Sequence, residues 1–408
     1  MKELRKNRLI EAFLKYTGIK KPEWEEIEKS EKEKPATLRQ QTVYFLKDMG
    51  FTFGMAVIVI IFVIQAFKIP TGSMENSLYV GDFLLGLKFV YGSPVPFSGK
   101  MNKLPGLRDP EPGDVVIFKY PGDPEYPFHQ NERYTKILNT FIFGSILYDK
   151  YNSGKKLRLY RPKDYIKRCV AKSGQTVEIK NKKLLVNGEP FPDPPKSKYV
   201  YGENIVTHPE IDNFSALKIP SPGDSYHLDT LSPRMFEFLK YLIYQENPEA
   251  DISCAYRIYK DSVKINEVDV KIPNMDYEEQ ILGAPIYKRP DNDQIKITAA
   301  LKMNGKPLEK YTVREPCYFM MGDNRDESKD SRYWGFVSRR FIKAKAFIIY
   351  FSWNSYKYCS SCDSYHSKAG HNYDLNDPGR CRDCGDFLQP GVPFYRKIRW
   401  NRFGKLIK

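Results

Sequence analysis

The longest hydrophobic stretch in this 408-residue chain covers residues 51–67 and carries no charged side chain. Its length is at the short end for a membrane-spanning helix, and the residues from 42 onwards can extend it. We therefore predict an uncleaved membrane anchor over residues 42–67. A cleaved signal peptide would begin nearer the N-terminus, and a buried core helix is the other alternative. A second apolar run, residues 137–148, is too short to span a membrane.

Beyond the anchor, short apolar segments alternate with turn residues, a pattern that predicts a strand-rich structure. Strands are expected at residues 82–85, 115–118, 165–171, 176–180, 317–321 and 341–352. The strands 165–171 and 176–180 are expected to form a hairpin-like unit. An Asn187-Gly188 turn follows them, and this dipeptide is typical of tight hairpins. One helix is predicted over residues 233–245.

The composition favours strands and an anionic partner. The chain has 29 Tyr and 25 Phe, and aromatic residues prefer strands. Its net charge is +15, which suggests a lipid surface or a nucleic acid as partner. The basic residues are spread along the chain and mixed with acidic ones, without a compact block or a recognition helix. We therefore expect membrane lipids and no nucleic acid. Solvated basic faces are the simpler alternative for any single lysine.

Residues 320–332 read MMGDNRDESKDSR and place many charges and hydroxyls directly after an apolar run. A surface loop does not require that density of interlocking polar groups, whereas a site that holds a catalytic group in place does. A salt-bridged surface loop of little energetic value is the alternative.

A serine and a lysine are candidates for the chemistry. Ser73 lies in a turn after Gly72, just beyond the predicted anchor. A serine hydroxyl needs a base to remove its proton, and the five histidines lie in no motif beside a reactive serine. A lysine can serve as the base if burial lowers its pKa. Lys167 lies in an apolar predicted strand, on the same face as Tyr165 and Cys169, although a lysine on a strand is usually solvated.

Three segments, residues 69–74 (IPTGSM), 164–168 (DYIKR) and 320–332, occur in the order of the signature boxes of type I signal peptidases and resemble them. The resemblance implies a membrane-anchored serine endopeptidase that removes signal peptides from exported preproteins. It implies that Ser73 is the nucleophile and Lys167 the general base. It also implies that Thr71 donates a hydroxyl to the oxyanion hole and that Ser328 orients the lysine amine.

The resemblance implies further roles. Arg168 is expected to pair with Asp323, and Arg332 with Asp330. Shallow substrate pockets for small residues, at the first and third positions before the cut, are expected to be lined by Ile69, Met74, Leu78, Tyr165 and Ile166. No cofactor is required for catalysis. The expected location is the bacterial plasma or inner membrane, with a single span and the catalytic domain on the extracytoplasmic side.

Four of the seven cysteines form two pairs, Cys359-x-x-Cys362 and Cys381-x-x-Cys384. Two such pairs suit tetrahedral Zn²⁺ bound by four thiolates, as in a zinc ribbon. We therefore expect a structural zinc. Disulfides are the alternative, because this segment is expected outside the cytoplasm, where thiols oxidise.

The expected fold is mainly β, with an antiparallel-sheet catalytic core, an inserted smaller β-rich lobe, one N-terminal transmembrane helix and a small zinc-ribbon-like insertion. The expected segments are a cytoplasmic tail (1–41), the anchor (42–67), the core (68–189 and 311–353), the inserted lobe (190–310), the four-cysteine module (354–393) and a C-terminal tail of the core (394–408). Two other functions are consistent with parts of the pattern. One is a Ser–Lys hydrolase like the self-cleaving repressors, and the other is an inactive membrane-bound scaffold presenting a zinc ribbon.

Overall fold

The computed structural model describes residues 38–95, 102–122, 164–195, 197–206, 208–260, 262–273, 295–353, 357–359, 361, 364–366 and 398–407. The chain divides into two compact units, one ending at Ile58 and the other beginning at Val59. The predictions for the N-terminal tail before residue 38, for the apolar run 137–148 and for most of the four-cysteine module lie outside the described residues.

The predicted anchor is a helix. An α-helix over Leu38–Ile58 continues as a π-helix over Val59–Val63. Its segment Gln41–Val63 has a mean hydropathy of 1.9 and is long and apolar enough to cross a membrane. The predicted end of the anchor is wrong, because the strand Ile64–Lys68 takes up the last apolar residues. These residues pair with Phe83–Leu87, so one apolar run serves both a helix and a strand.

The other helices described are short, apart from Pro233–Glu246. They are the α-helices Pro209–Asp212, Pro233–Glu246 and Ser331–Trp334, and the 3₁₀-helices Arg339–Phe341 and Trp400–Arg402. The sequence predicted the longest of them within one residue at its C-terminal end. Pro233 occupies its first turn, and the side chain of Ser232 accepts a hydrogen bond from the Met235 N–H. Both features favour helix initiation.

Antiparallel strands are the commonest regular elements of the described chain. In sequence order they are β1 Ile64–Lys68, β2 Asp82–Leu87, β3 Val115–Lys119, β4 Asp164–Lys172, β5 Thr176–Lys180, β6 Lys183–Val186, β7 Glu189–Pro190, β8 Phe214–Lys218, β9 Ser225–His227, β10 Ile252–Lys260, β11 Val263–Lys271, β12 Ile295–Met303, β13 Lys306–Pro307, β14 Lys310–Thr312, β15 Cys317–Met321, β16 Val337–Ser338, β17 Ile342–Ser352, β18 Lys357–Cys359, β19 Ser364–His366 and β20 Lys405–Leu406. The mainly β class is confirmed.

The main sheet carries the candidate site. Among the described strands its order is β1-β2-β17-β3-β4-β15-β16, and β20 also pairs with β17. β3 reads VVIFK and is buried at every position, because strands flank it on both sides. β4 lies between β3 and β15, which makes it an interior strand as well. Lys167, in the middle of β4, is buried there. The charged loop, residues 322–332, begins directly after β15.

The segment between β4 and β15 forms smaller sheets. Within the described residues their orders are β7-β6-β5-β8, β11-β10-β12-β13 and β14-β9. The expected hairpin of β4 with β5 is wrong, since β5 pairs instead with β6 and β8. The Asn187-Gly188 turn is present between β6 and β7, and both of its residues have positive φ. The helix Pro233–Glu246 is buried over most of its length, against the same core as β15.

Candidate active site

Ser73 lies in a closed turn between β1 and β2. The Ile69 N–H donates to the Asp82 carbonyl over 2.9 Å, and the Gly81 N–H donates to the Ile69 carbonyl over 3.0 Å. These two bonds join the ends of the turn and fix its shape. Residues 73–77 form successive hydrogen-bonded turns. Ser73 is half-buried, so its hydroxyl is held without being fully enclosed.

Lys167 reaches Ser73 from β4, which is separated from β2 in the sheet by β17 and β3. Its amine Nζ is hydrogen-bonded to Ser73 Oγ. The side chain is 3% exposed, and Nζ lies 5.5 Å from the centre of the Tyr165 ring. Tyr165 is itself stacked on Tyr120 with ring centres 4.4 Å apart. An aromatic wall on one side and the serine on the other leave the amine few alternative positions.

Burial lowers the pKa of the Lys167 amine to about 8, because an ammonium ion is poorly solvated there. The carboxylate of Asp330 opposes this shift, Arg332 adds to it, and Asp323 opposes it more weakly. The lysine therefore keeps a substantial neutral fraction near pH 8. A neutral amine hydrogen-bonded to a serine hydroxyl can accept its proton.

Arg168 and Asp323 form a buried, bidentate ion pair. Arg168 Nε donates to Asp323 Oδ1 over 2.8 Å, and Nη2 donates to Oδ2 over 2.7 Å. Asp323 is completely buried. Arg168 Nη1 also donates to the Gly113 carbonyl over 2.7 Å. Because Arg168 follows Lys167 in β4, this pair ties the lysine strand to the charged loop.

Asp330 and Arg332 form the second expected pair, within the charged loop itself. Arg332 donates to both carboxylate oxygens of Asp330, over 2.8 and 2.9 Å. The Gly322 N–H donates to Asp330 over 3.0 Å. Burial alone would raise the pKa of Asp330, but Arg332 and these hydrogen bonds hold it below its usual range. Asp330 therefore remains a fixed negative charge near Lys167.

Ser328 is buried but does not make the expected bond to the lysine. Its side chain is 4% exposed, and among the described residues Oγ has no hydrogen-bond partner. The expected Ser328–Lys167 hydrogen bond is thus not formed in this structure. A buried hydroxyl without a partner carries a desolvation penalty that is relieved once a partner arrives.

Asn324 holds the backbone of the turn between β1 and β2 that carries Ser73, the candidate nucleophile. We call this segment the nucleophile turn; the sequence did not predict a role for Asn324 there. Its N–H donates to the Ser73 carbonyl over 3.1 Å, and its side-chain Nδ2 donates to the Gly72 carbonyl over 3.2 Å. The Gly72 carbonyl and the Ser73 N–H belong to one planar trans peptide and point in opposite directions. Asn324 therefore directs the Ser73 N–H away from the charged loop. Its place in the dense polar run was the only signal for it in the sequence.

Other links between the turn and the rest of the chain could not be inferred from the sequence. Ser77 Oγ donates to Asp323 over 2.6 Å, and Lys198 pairs with Glu75 over 2.8 Å. The backbone of Lys198 also bonds to residues 323 and 325 over 2.8 Å each. Ser77 and Lys198 are ordinary polar residues far from the charged loop in sequence. Only the folded chain brings them to the site.

The expected substrate-contacting residues divide into two groups. Four of them belong to one small hydrophobic cluster beneath the nucleophile turn: Ile69, Met74, Leu78 and Ile166. Leu78 has no exposed surface, so it can shape a pocket only from below. Tyr165 packs against the larger core instead and stands beside the lysine amine. Thr71 is exposed on the turn, two residues before Ser73.

Only a fragment of the four-cysteine module is described. Cys359 ends β18, which pairs with β19 in a short antiparallel ladder. The partner cysteines Cys362, Cys381 and Cys384 lie outside the described residues. Within the part that is described, no group of three or more potential metal ligands occurs.

Known proteins with similar sequences include signal peptidases. The model of the family described as signal peptidase, peptidase S26, matches residues 42–224 and 256–353. Signal peptidase I of Aquifex aeolicus is 28% identical over 296 residues, covering 71% of this chain and 77% of that protein. Signal peptidase I of Haemophilus influenzae is 28% identical over 318 residues, covering 76% and 69%.

The family match includes the turn with Ser73, the strand with Lys167 and the whole charged loop, which are the parts that converge in the structure. It covers well over half of the chain. This chain is a member of the signal peptidase family, peptidase S26.

Proposed function

We propose that the chain is a membrane-anchored serine endopeptidase that cleaves signal peptides from exported preproteins with Ser73 and Lys167. The observation that carries the proposal is the hydrogen bond between Lys167 Nζ and Ser73 Oγ, made by a lysine whose pKa burial lowers to about 8. The family and its similarly sized relatives support the same reaction class.

The reaction proceeds in two halves. Neutral Lys167 accepts the proton of the Ser73 hydroxyl as Oγ attacks the scissile carbonyl carbon. The resulting ammonium then protonates the leaving amine as the C–N bond breaks, which leaves an ester on Ser73. A water molecule, deprotonated by the lysine, next attacks that ester. The signal peptide leaves with a free carboxylate, and Ser73 regains its proton from Lys167.

The negative oxygen formed at each attack requires hydrogen-bond donors. The Ser73 N–H is directed away from the charged loop by Asn324, and Thr71 lies exposed on the same turn. We assign these two groups to the oxyanion hole. As the lysine becomes an ammonium ion, Asp330 and Asp323 stabilise its charge, and the buried Ser328 hydroxyl accepts a hydrogen bond from it.

The substrate is a signal peptide with small residues at the first and third positions before the cut. The cluster of Ile69, Met74 and Ile166 beneath the turn favours short apolar side chains over charged or bulky ones. The helix Gln41–Val63 anchors the chain in the bilayer. Signal peptides emerge on the extracytoplasmic face of the bacterial plasma membrane, so the catalytic unit is assigned to that side.

We also propose that Cys359, Cys362, Cys381 and Cys384 bind one structural zinc ion. The support is the spacing of the two Cys-x-x-Cys pairs. The ion would hold together a segment that is too small to have its own core, and it takes no part in the cleavage.

Incubation of the detergent-solubilised chain with a purified secretory precursor tests the proposed function. The expected result is a mature product whose new N-terminus, identified by mass spectrometry, follows small residues at the first and third positions. A matched precursor with a bulky aromatic residue directly before the cut is expected to stay intact. No mature product, or equal cleavage of both precursors, would contradict the proposal.

A further inference from the structure

The C-terminal tail returns to the nucleophile turn after the Cys-rich segment. Ile398 forms an antiparallel bridge with Trp353, and β20 pairs with Ile348 and Ile349 of β17. The Trp353 N–H donates to the Gly81 carbonyl over 2.8 Å. The tail is therefore placed beside the end of the turn that carries Ser73.

Arg402 of this tail enters the turn, beside Arg399, which donates to the Val80 carbonyl over 3.2 Å. Arg402 Nε lies 3.0 and 3.1 Å from the two carboxylate oxygens of Asp82, and its Nη2 lies 2.5 Å from Oδ2. The same Nη2 donates to the Ser77 carbonyl over 3.0 Å. The guanidinium stacks 4.4 Å from the centre of the Tyr79 ring. Arg402 is 4% exposed and Asp82 is completely buried, so the contact is shielded from water and salt.

Ser77 continues the connection to the lysine strand. Its hydroxyl donates to Asp323 Oδ2 over 2.6 Å, and the same oxygen accepts from Arg168 Nη2 over 2.7 Å. Arg168 directly follows Lys167 in β4. A continuous line of polar contacts thus runs from Arg402 through Ser77 and Asp323 to the strand that carries the base. The nucleophile lies four positions before Ser77 in the same turn.

We propose that Arg402 is a positioning residue that holds the Ser73 turn at the correct distance from Lys167. The proposal rests on the proposed roles of Ser73 and Lys167. It assigns to the C-terminal tail a part in the reaction without contact with the substrate. Arg402 bonds to the Ser77 carbonyl and to Asp82, so its loss removes two of the links that hold the carboxyl-terminal half of the turn in place. A displacement of about 1 Å between reacting groups can lower a rate by about 100-fold.

Four variants and a control test this role on a short soluble peptide substrate. The variants are Arg402→Gln, Ser77→Ala, the double variant and Ser77→Thr. Arg257→Gln is the control, because Arg257 forms an exposed ion pair with Glu267 in a distant sheet. The measurements are kcat, KM and the thermal unfolding midpoint. We expect Arg402→Gln and Ser77→Ala each to lower kcat by about 10- to 100-fold with little change in KM. We expect Ser77→Thr and Arg257→Gln to stay near the wild-type kcat.

The double variant separates positioning from independent damage. If Arg402 acts through Ser77, the double variant should be no slower than Arg402→Gln alone. Multiplying losses, or a folded Arg402→Gln chain with wild-type kcat, would overturn the proposal. If Arg402→Gln fails to fold, Ser77→Ala decides the question, because it leaves the Arg402–Asp82 pair intact, and a wild-type kcat then refutes the link. A Ser73→Ala chain that still cleaves the peptide would instead refute the proposed function.

Discussion

Gly322 and Ser328 lie so close together that a Cβ built on Gly322 would be 2.2 Å from Ser328 Oγ. The same atom would be 2.5 Å from the carbonyl oxygen of Ser73. A side chain at position 322 would thus push against both the nucleophile turn and the hydroxyl proposed to assist the lysine. Position 322, which begins the charged loop, requires glycine because Ser73 and Ser328 approach its backbone so closely.

We predict that Gly322→Ala lowers kcat strongly and destabilises the fold by about 1–3 kcal/mol, the usual range for overpacking in a tightly packed region. Gly54→Ala is the control, since nothing lies within 4 Å of a Cβ at that position. Peptide cleavage and thermal unfolding of both variants provide the measurement. A Gly322→Ala chain with wild-type kcat would show that the described packing around Ser328 is incorrect.

The pH dependence of kcat/KM should reflect the titration of Lys167 in the free enzyme. Its pKa is lowered from 10.5 to about 8, and the neutral amine is the active form. Activity should therefore rise with pH through about 8 and level off above it. A pH–rate profile on a peptide without titratable groups provides the measurement. A rise only near the pKa of a free lysine would contradict the buried base.

The same lowered pKa predicts that Lys167 makes the fold less stable at neutral pH. The folded-state pKa lies below the unfolded value, so the penalty is fully present below about pH 8 and disappears above 10.5. Lys167→Met should therefore be inactive yet more stable at pH 7, by up to roughly 3 kcal/mol. Denaturant unfolding at pH 7 and pH 10 should show this advantage shrinking at the higher pH.

Asp330→Asn should move the acid limb of the activity profile to lower pH. The carboxylate of Asp330 opposes the lowering of the Lys167 pKa, and its removal leaves Arg332 unbalanced beside the lysine. Breaking this buried pair should also cost about 3–5 kcal/mol of stability. Asp269→Asn removes an exposed pair with Lys302 and should cost less than about 1 kcal/mol without moving the limb. An unmoved limb in Asp330→Asn would show that its charge does not reach Lys167.

Zinc content and a thiol count distinguish the two states of the four-cysteine module. Cys169, Cys254 and Cys317 are buried thiols. With zinc on the other four, denatured and chelated protein should show all seven cysteines as thiols, with about one zinc ion per chain. With two disulfides, only the three buried thiols should react, and metal should be absent. Chelation is expected to loosen the module and leave peptide cleavage intact.

The positions of several strands and of the three boxes along the chain could be predicted, because alternation of apolar residues and local motifs depend on neighbouring residues. The helix Pro233–Glu246 was also predicted, within one residue at its C-terminal end. The end of the anchor was predicted incorrectly, because residues 64–67 are as apolar in a strand as in a helix. Their state is decided by pairing with β2, which no local pattern reveals.

The residues of the candidate site were also predicted only in part. Ser73, Lys167 and the two arginine–aspartate pairs were expected from the boxes, and the structure brings their side chains together. The roles of Ser77, Lys198 and Arg402 could not be read in advance, because each depends on a partner far away in the chain. Ser328 was assigned a bond that this structure does not contain, since rotation of one hydroxyl-bearing side chain is not encoded in the motif.

Cleavage of a secretory precursor by the Ser73→Ala chain is the most direct test of the central claim. The variant removes one oxygen atom and leaves the buried pairs around Lys167 in place. We predict that the purified wild-type chain produces the mature protein, whereas Ser73→Ala, folded to the same unfolding midpoint, produces none. Continued cleavage by Ser73→Ala, in a preparation free of host peptidase, would contradict the account.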